Sequence, residues 1–200
     1  MIEIHGDERS GNCLKVKWTC DHLQLAYRWI EVPSASGATS TAAFRALNPA
    51  GQIPVVVLPG GQTLAQSNAI IGYLAAGSAL VPDDALERAR MLAWMFWEQN
   101  THETVVAVRR GLKLFRGVAE TDLPADLLPR GMAALALMDQ TLAGQDWFSG
   151  PRFGLADIAL LAYTRLAPEG GFDLAPFPDL RSWLGRCEQV LGLPPGPGRA

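Results

Sequence analysis

The apolar pattern of this chain changes period once, near Asp84, and that change separates a part able to build a mixed α/β layer from a part able to build only helices. Residues 1–5 and 27–32 read as strands joined by a loop over 6–11 and a helix on which Leu14, Trp18, Leu23 and Leu25 recur at roughly helical spacing. Pro33 ends the second strand, and residues 34–41, rich in Ser, Ala, Gly and Thr, predict a surface loop leading into a helical turn around 44–47. The β-branched run 53–58, the turn Pro59-Gly60-Gly61 and the segment 63–65 read as a hairpin, after which a helix runs from Ser67 to Ala75. A β-α-β portion followed by a β-β-α portion within about 80 residues covers both faces of one sheet with helices. Past Asp84, Leu86, Arg90, Trp94, Trp97 and Thr101 follow at spacings of three and four on one long helix. Further helices are predicted over 126–142, 155–166 and 180–191, and the Pro- and Gly-dense tail 193–200 reads as disordered.

A chain of 200 residues can hold one large domain or two small ones. The pattern favours an α/β domain over 1–78, a linker over 79–84 and an all-helical domain over 85–200. The 3 cysteines, Cys13, Cys20 and Cys187, are an odd number without CxxC spacing, which points to free thiols and to neither a disulfide framework nor a metal site. With a formal charge of −3 and arginines scattered singly except for Arg109-Arg110, nucleic acid is not an expected partner. The most apolar stretch, 155–163, is interrupted by Asp157 and closed by Arg165 and Pro168, far short of a membrane span. The first residues carry Glu3 and His5 where a secretory leader would be basic, so the expected location is the cytoplasm.

Three short motifs could carry chemistry, and each has a purely structural alternative. Ile53-Pro54 opens a strand, where proline removes a ladder hydrogen bond; the bond is either cis, turning the backbone of Ile53 toward an extended peptide, or the start of an edge strand. Gln66-Ser67 precedes a helix, so Ser67 is either a plain N-cap or part of a carboxylate site where helix dipole and backbone N–H groups favour an anion. Ser10-Gly11-Asn12-Cys13 lies between the first strand and the first helix, where a hydroxyl or amide either caps the helix or faces a thiolate resting on its start.

Taken together, the stretches SGNCLKVKW (10–18), FRALNPAGQIPVV (44–56), LAQSNAIIGYLA (64–75) and GPRFGLADIALLAY (150–163) resemble the cytosolic glutathione transferase family over nearly the whole chain, with a serine- or Nu-like bacterial N-terminal motif. That resemblance implies a thioredoxin-like N-terminal domain and an all-α C-terminal domain. It implies that Ile53, next to Pro54, pairs through its backbone with the cysteinyl part of glutathione, that Gln66 and Ser67 hold the γ-glutamyl end, and that Gln52 lies near the glycyl end. Ser10 would then meet the thiol, as in serine-type members, while Asn12 matches an asparagine used by some disulfide-reducing bacterial relatives. Cys13 is read as a packing residue.

The implied activity is conjugation of the glutathione thiolate to an apolar electrophile; disulfide-bond reduction or simple ligand carriage are the alternatives. Glutathione is the implied co-substrate, with no metal, and a homodimer is the implied assembly. On the first long helix, Trp94, Phe96 and Arg109 are read mainly as core, and Trp97 and His102 as contacts to the second substrate, with His102 alternatively a solvated partner of Glu98. The chain departs from the family in carrying Gln66 where an acidic residue is more frequent and Gly154 where Ser or Thr caps the helix of Asp157.

Overall fold

The computed structural model of the protein describes residues 1–197. It contains two compact units, Met1–Val81 and the chain from Pro82 onward.

In the first unit the elements run β1 (Ile2–Gly6), α1 (Gly11–His22), β2 (Tyr27–Glu31), α2 (Ala42–Leu47), β3 (Val55–Val57), β4 (Thr63–Ala65) and α3 (Ser67–Leu74). The sheet order is β2-β1-β3-β4. β1 and β2 are parallel, whereas β3 runs antiparallel to both β1 and β4. Alternation along the strands assigns the two faces. Val55 packs with Val32 and Phe44 on the side of α2. Ile4 and Val56, paired in register, are left to the opposite face with the buried residues of α1 and α3, among them Cys13, Val16, Cys20, Ile70 and Ile71.

The expected face of the first helix is corrected by the structure: Leu14 is half-buried and α1 ends at His22, before Leu23 and Leu25. Trp18 of the expected set is buried, but the rest of the buried stripe is Gly11, Cys13, Lys15, Val16, Thr19 and Cys20, so leucine spacing misplaced it. Gly6 shows how tightly α1 sits, because a Cβ there would lie 2.8 Å from the Trp29 ring and 3.1 Å from Cys13. Two single 3₁₀ turns, Ser34–Ser36 and Ala38–Ser40, lie where a loop was expected.

The second unit consists of α4 (Ala85–Trp97), α5 (Glu103–Arg116), α6 (Leu127–Leu142), α7 (Leu155–Thr164) and α8 (Pro178–Leu191). Asp84 caps α4, its carboxylate accepting from the backbone N–H groups of Leu86 and Glu87 at 3.0 and 2.9 Å. The single long helix expected here is instead two helices joined by a π turn, Glu98–His102. All of α7 is buried, and it packs against α4, α5 and α8.

One carboxylate organises this centre. Asp157 Oδ2 accepts from Gly154 N at 3.0 Å, and Oδ1 accepts from Phe148 N at 3.1 Å and from the Trp183 indole at 2.8 Å. Gly154 has no side chain with which to cap, so Asp157 supplies the only side-chain half of this helix start. Burial pushes the Asp157 carboxyl up to about 6, against the opposing pull of those donors.

Over residues 193–197 the expected disorder is replaced by hydrogen bonding. Leu193 N donates to Glu188 O at 2.9 Å, Gly196 N to the Glu188 carboxylate at 2.8 Å, and the Arg165 guanidinium to Pro194 O at 2.7 Å. The remainder of that expectation falls on 198–200, outside the described residues. No helix among the described residues is long and apolar enough to cross a membrane.

Candidate functional site

The sheet register delivers the motifs of the first unit to one end. His5 at the end of β1 pairs with Val55 at the start of β3, and Val55 pairs with Ala65 at the end of β4. Continuing each strand past that row therefore brings out the Asp7–Ser10 turn, the Ile53-Pro54 pair and Gln66-Ser67 together. The Ile53-Pro54 peptide bond is cis, and β3 lies inside the sheet, so the edge-strand alternative does not hold. Ile53 lies outside the hydrogen-bonded ladder, which begins at Val55, and its side chain packs on the cluster of Val32, Phe44 and Val55.

Gln52 and Ile53 are held from behind by Asn48, which carries no weight in the sequence reading. The Asn48 amide donates to Gln52 O at 2.7 Å, its side-chain oxygen accepts from Ala50 N at 3.1 Å, and its backbone carbonyl accepts from Gly51 N at 2.9 Å. The Asn-Pro-x-Gly order was the available signal: Asn hydrogen-bonds its own turn, and Gly51 takes the left-handed conformation, φ 65°.

Ser10 is the N-cap of α1 by position, with φ −86° and ψ 119°, but its hydroxyl makes no capping bond. That hydroxyl lies close enough to the Cys13 thiol to influence its ionisation. Burial is the main influence on Cys13 and pushes its thiol up to about 11, outweighing the Ser10 and backbone hydrogen bonds that favour the thiolate. A fully buried, protonated Cys13 is a packing residue, as the sequence suggested.

Asn12 stands in the first turn of α1, not in the loop before it. Ser67, read from sequence as an N-cap, is instead the first residue of α3; the N-cap position belongs to Gln66, with φ 72° and ψ 111°. The Ser67 hydroxyl donates to Asn12 Oδ1 at 3.0 Å, tying the starts of α1 and α3 to each other. Two helix N-termini, a hydroxyl, an amide and the unladdered backbone of Ile53 suit a peptide-like ligand that carries a carboxylate and a thiolate.

The second-substrate candidates lie in the other unit. His102 is fully buried, and its Nε2 lies 3.0 Å from the Thr164 hydroxyl, which donates to Leu160 O at 2.7 Å. The histidine thus locks the π turn onto α7, which corrects its reading as a ligand contact; the reading as a solvated partner of Glu98 also fails, since Glu98 is buried as well. Trp97 is half-buried, packs edge-on against Trp94 with ring centroids 5.2 Å apart, and lines a groove of about 250 Å³ with Thr101, Val105, Arg130, Ala133, Ala134 and Leu137. Phe96, expected in the core, is exposed. Arg109 is buried and structural, donating through Nε to Gly170 O at 2.9 Å and pairing with Glu120.

Residues 9–76 match the model of the glutathione S-transferase N-terminal domain, and residues 102–190 match that of the glutathione S-transferase C-terminal domain. The chain is 32% identical over 194 residues to glutathione S-transferase GstB of Escherichia coli (strain K12), spanning 92% of this chain and 91% of the relative. The chain belongs to the glutathione S-transferase family.

Solved structures agree with that assignment. A glutathione S-transferase from Pseudomonas fluorescens [Pf-5] superposes with a TM-score of 0.90 at 41% identity over 94% of each chain. The theta class glutathione S-transferase of Xanthomonas axonopodis pv. citri, solved with glutathione bound, superposes with a TM-score of 0.85 at 34% identity over 94% of this chain and 92% of that one. Within this glutathione S-transferase fold, no group of three or more His, Cys, Asp or Glu side chains among the described residues is arranged to hold a metal ion.

Proposed function

We propose that this protein is a glutathione-conjugating transferase in which Ser10 donates a hydrogen bond to the glutathione thiolate. The observation that carries the reading is the state of Ser10: it sits at the start of α1 with its hydroxyl unspent on capping and next to a thiol that stays protonated. The hydrogen bond and the positive end of α1 lower the pKa of the bound thiol, and the resulting thiolate attacks an electrophilic carbon, displacing its leaving group or adding to it.

The other roles follow from placement. The backbone of Ile53, held beside Pro54, pairs with the cysteinyl segment. Gln66 and Ser67 receive the γ-glutamyl end at the start of α3, and Gln52 stands toward the glycyl end. Asn12, whose amide is oriented by the Ser67 hydroxyl, stands beside the thiol position. Trp97, lining a mainly apolar groove, is our candidate contact for an apolar acceptor. A homodimer is supported by the family and by the exposed apolar side chains Leu92 and Phe96 of α4. The three buried free thiols accord with a reducing compartment, and we place the protein in the cytoplasm.

Following the ultraviolet absorbance of the bound thiolate while glutathione is titrated at neutral pH tests the central step. Wild type is expected to show thiolate, and Ser10→Ala to raise the bound thiol pKa by about one to two units. A thiolate unaffected in Ser10→Ala but lost in Asn12→Ala would transfer the role to Asn12.

A further inference from the structure

At the end of β1, a single side chain holds the turn that carries Ser10. Asp7 Oδ1 accepts from the backbone N–H of Arg9 at 3.0 Å and from Arg9 Nε at 3.0 Å, while Oδ2 accepts from Arg9 Nη2 at 2.8 Å. Oδ2 also accepts from the backbone N–H and the hydroxyl of Ser34, at 3.1 and 3.0 Å. Ser34 lies 27 residues away in sequence, at the start of the 3₁₀ turn that follows β2. Meanwhile the Asp7 backbone carbonyl accepts from Ser10 N at 2.9 Å, closing the turn.

The carboxylate is 2% exposed although its guanidinium partner is 52% exposed, so the anion is enclosed and its geometry is fixed from several directions. Hydrogen bonding from Arg9, above all, holds the carboxyl below the usual carboxylate range, which keeps it ionised throughout the neutral range.

We propose that Asp7 is a positioning residue for the Ser10 hydroxyl. It does not touch the thiolate. By anchoring the Asp7–Ser10 turn both to itself and to Ser34, it fixes where the hydroxyl of Ser10 points relative to the start of α1. The inference rests on the proposed role of Ser10 and predicts a particular coupling with it: without Asp7 the Ser10 hydroxyl is no longer held, so Ser10→Ala and Asp7→Ala should abolish the same contribution.

The test is a double-mutant cycle on the pKa of glutathione bound to the full-length protein, read by thiolate absorbance, with glutathione affinity measured in parallel by calorimetry. Asp7→Ala is expected to raise the bound thiol pKa by about one unit, a roughly tenfold loss of thiolate in the neutral range, with the dissociation constant for glutathione changed less than about twofold. In the Ser10→Ala background, Asp7→Ala should add nothing. Arg9→Ala, which leaves the two Ser34 bonds and the backbone bond in place, should shift the pKa in the same direction by less, and it serves if Asp7→Ala does not fold.

Additive shifts overturn the inference, as does a Ser10→Ala effect alongside silent Asp7→Ala and Arg9→Ala variants. A general loss of glutathione affinity without a shift in thiol pKa also overturns it, because that is the signature of a merely structural residue. If Ser10→Ala itself leaves the thiolate unchanged, the serine reading falls and takes this one with it.

Discussion

The hydroxyl of Ser67 and the side-chain oxygen of Asn12 are 3.0 Å apart although 55 residues separate them in sequence. Because the hydroxyl donates to the amide oxygen, the orientation of the Asn12 amide is fixed by the start of α3. In the proposed binding mode a carboxylate arriving at Ser67 competes for the same hydroxyl proton, which links the γ-glutamyl end of the ligand to the orientation of Asn12.

Breaking that pair from either side should have overlapping consequences. Ser67→Ala and Asn12→Ala are each expected to weaken glutathione binding, with a coupling energy of about 0.5–1.5 kcal/mol between them in calorimetric titrations. Strict additivity would show that the bond is incidental to ligand binding.

Thr164 should matter for stability and not for chemistry. Thr164→Val leaves the buried Nε2 of His102 without this hydroxyl and is expected to cost about 1–3 kcal/mol in urea unfolding. The KM for the electrophile should hold; a changed KM at unchanged stability would return His102 to the substrate site.

Asp157 gives the fold a pH dependence with a definite sign. Its carboxyl is raised to about 6 in the folded protein, above its ordinary value of 3.8, so the folded state binds the proton more tightly than the unfolded state. The resulting stabilisation is complete below about pH 4 and is lost as pH rises through about 6. Unfolding free energies of wild type minus those of Asp157→Asn should therefore fall across that window, and a difference that grows with pH would show that the donors outweigh burial.

Cys13 should be dispensable for catalysis. With its thiol pushed up to about 11 it is expected to resist alkylation by iodoacetamide near pH 7.5 in the native state, and Cys13→Ala should keep most of the conjugation rate. Rapid native-state alkylation coupled to inactivation would make the cysteine the reactive group.

Phe96, 65% exposed on α4, is where the proposed dimer is most easily probed. Phe96→Glu is expected to weaken self-association by roughly tenfold or more in sedimentation equilibrium while leaving the monomer folded. An unchanged dimer would move the interface off this face.

The order of elements was legible because strand and helix periods are strong signals over the hairpin at 53–65 and the helices beyond Asp84. The site was legible as motifs but not as geometry. Serine at a helix start reads as a cap, yet neither Ser10 nor Ser67 uses its hydroxyl that way, and the Ser67 hydroxyl bonds Asn12, 55 residues away, which only the assembled fold brings near. Asp7 escaped notice since its second partner, Ser34, is distant in sequence, and a lone Asp in a turn has many ordinary explanations. His102 was misassigned because a π turn cannot be read from apolar spacing, and the extra residue in that turn shifts which side chains face inward.

Gln66 carries one further implication. A φ of 72° is territory that glycine enters freely and that a branched-off side chain occupies at a standing cost of order 1 kcal/mol. The usual logic of conservative replacement is therefore inverted at this position: Gln66→Gly would relax the backbone and firm up the fold, while removing the group offered to the ligand. Under the ligand role proposed for Gln66, backbone comfort and ligand capture therefore make opposite demands on residue 66.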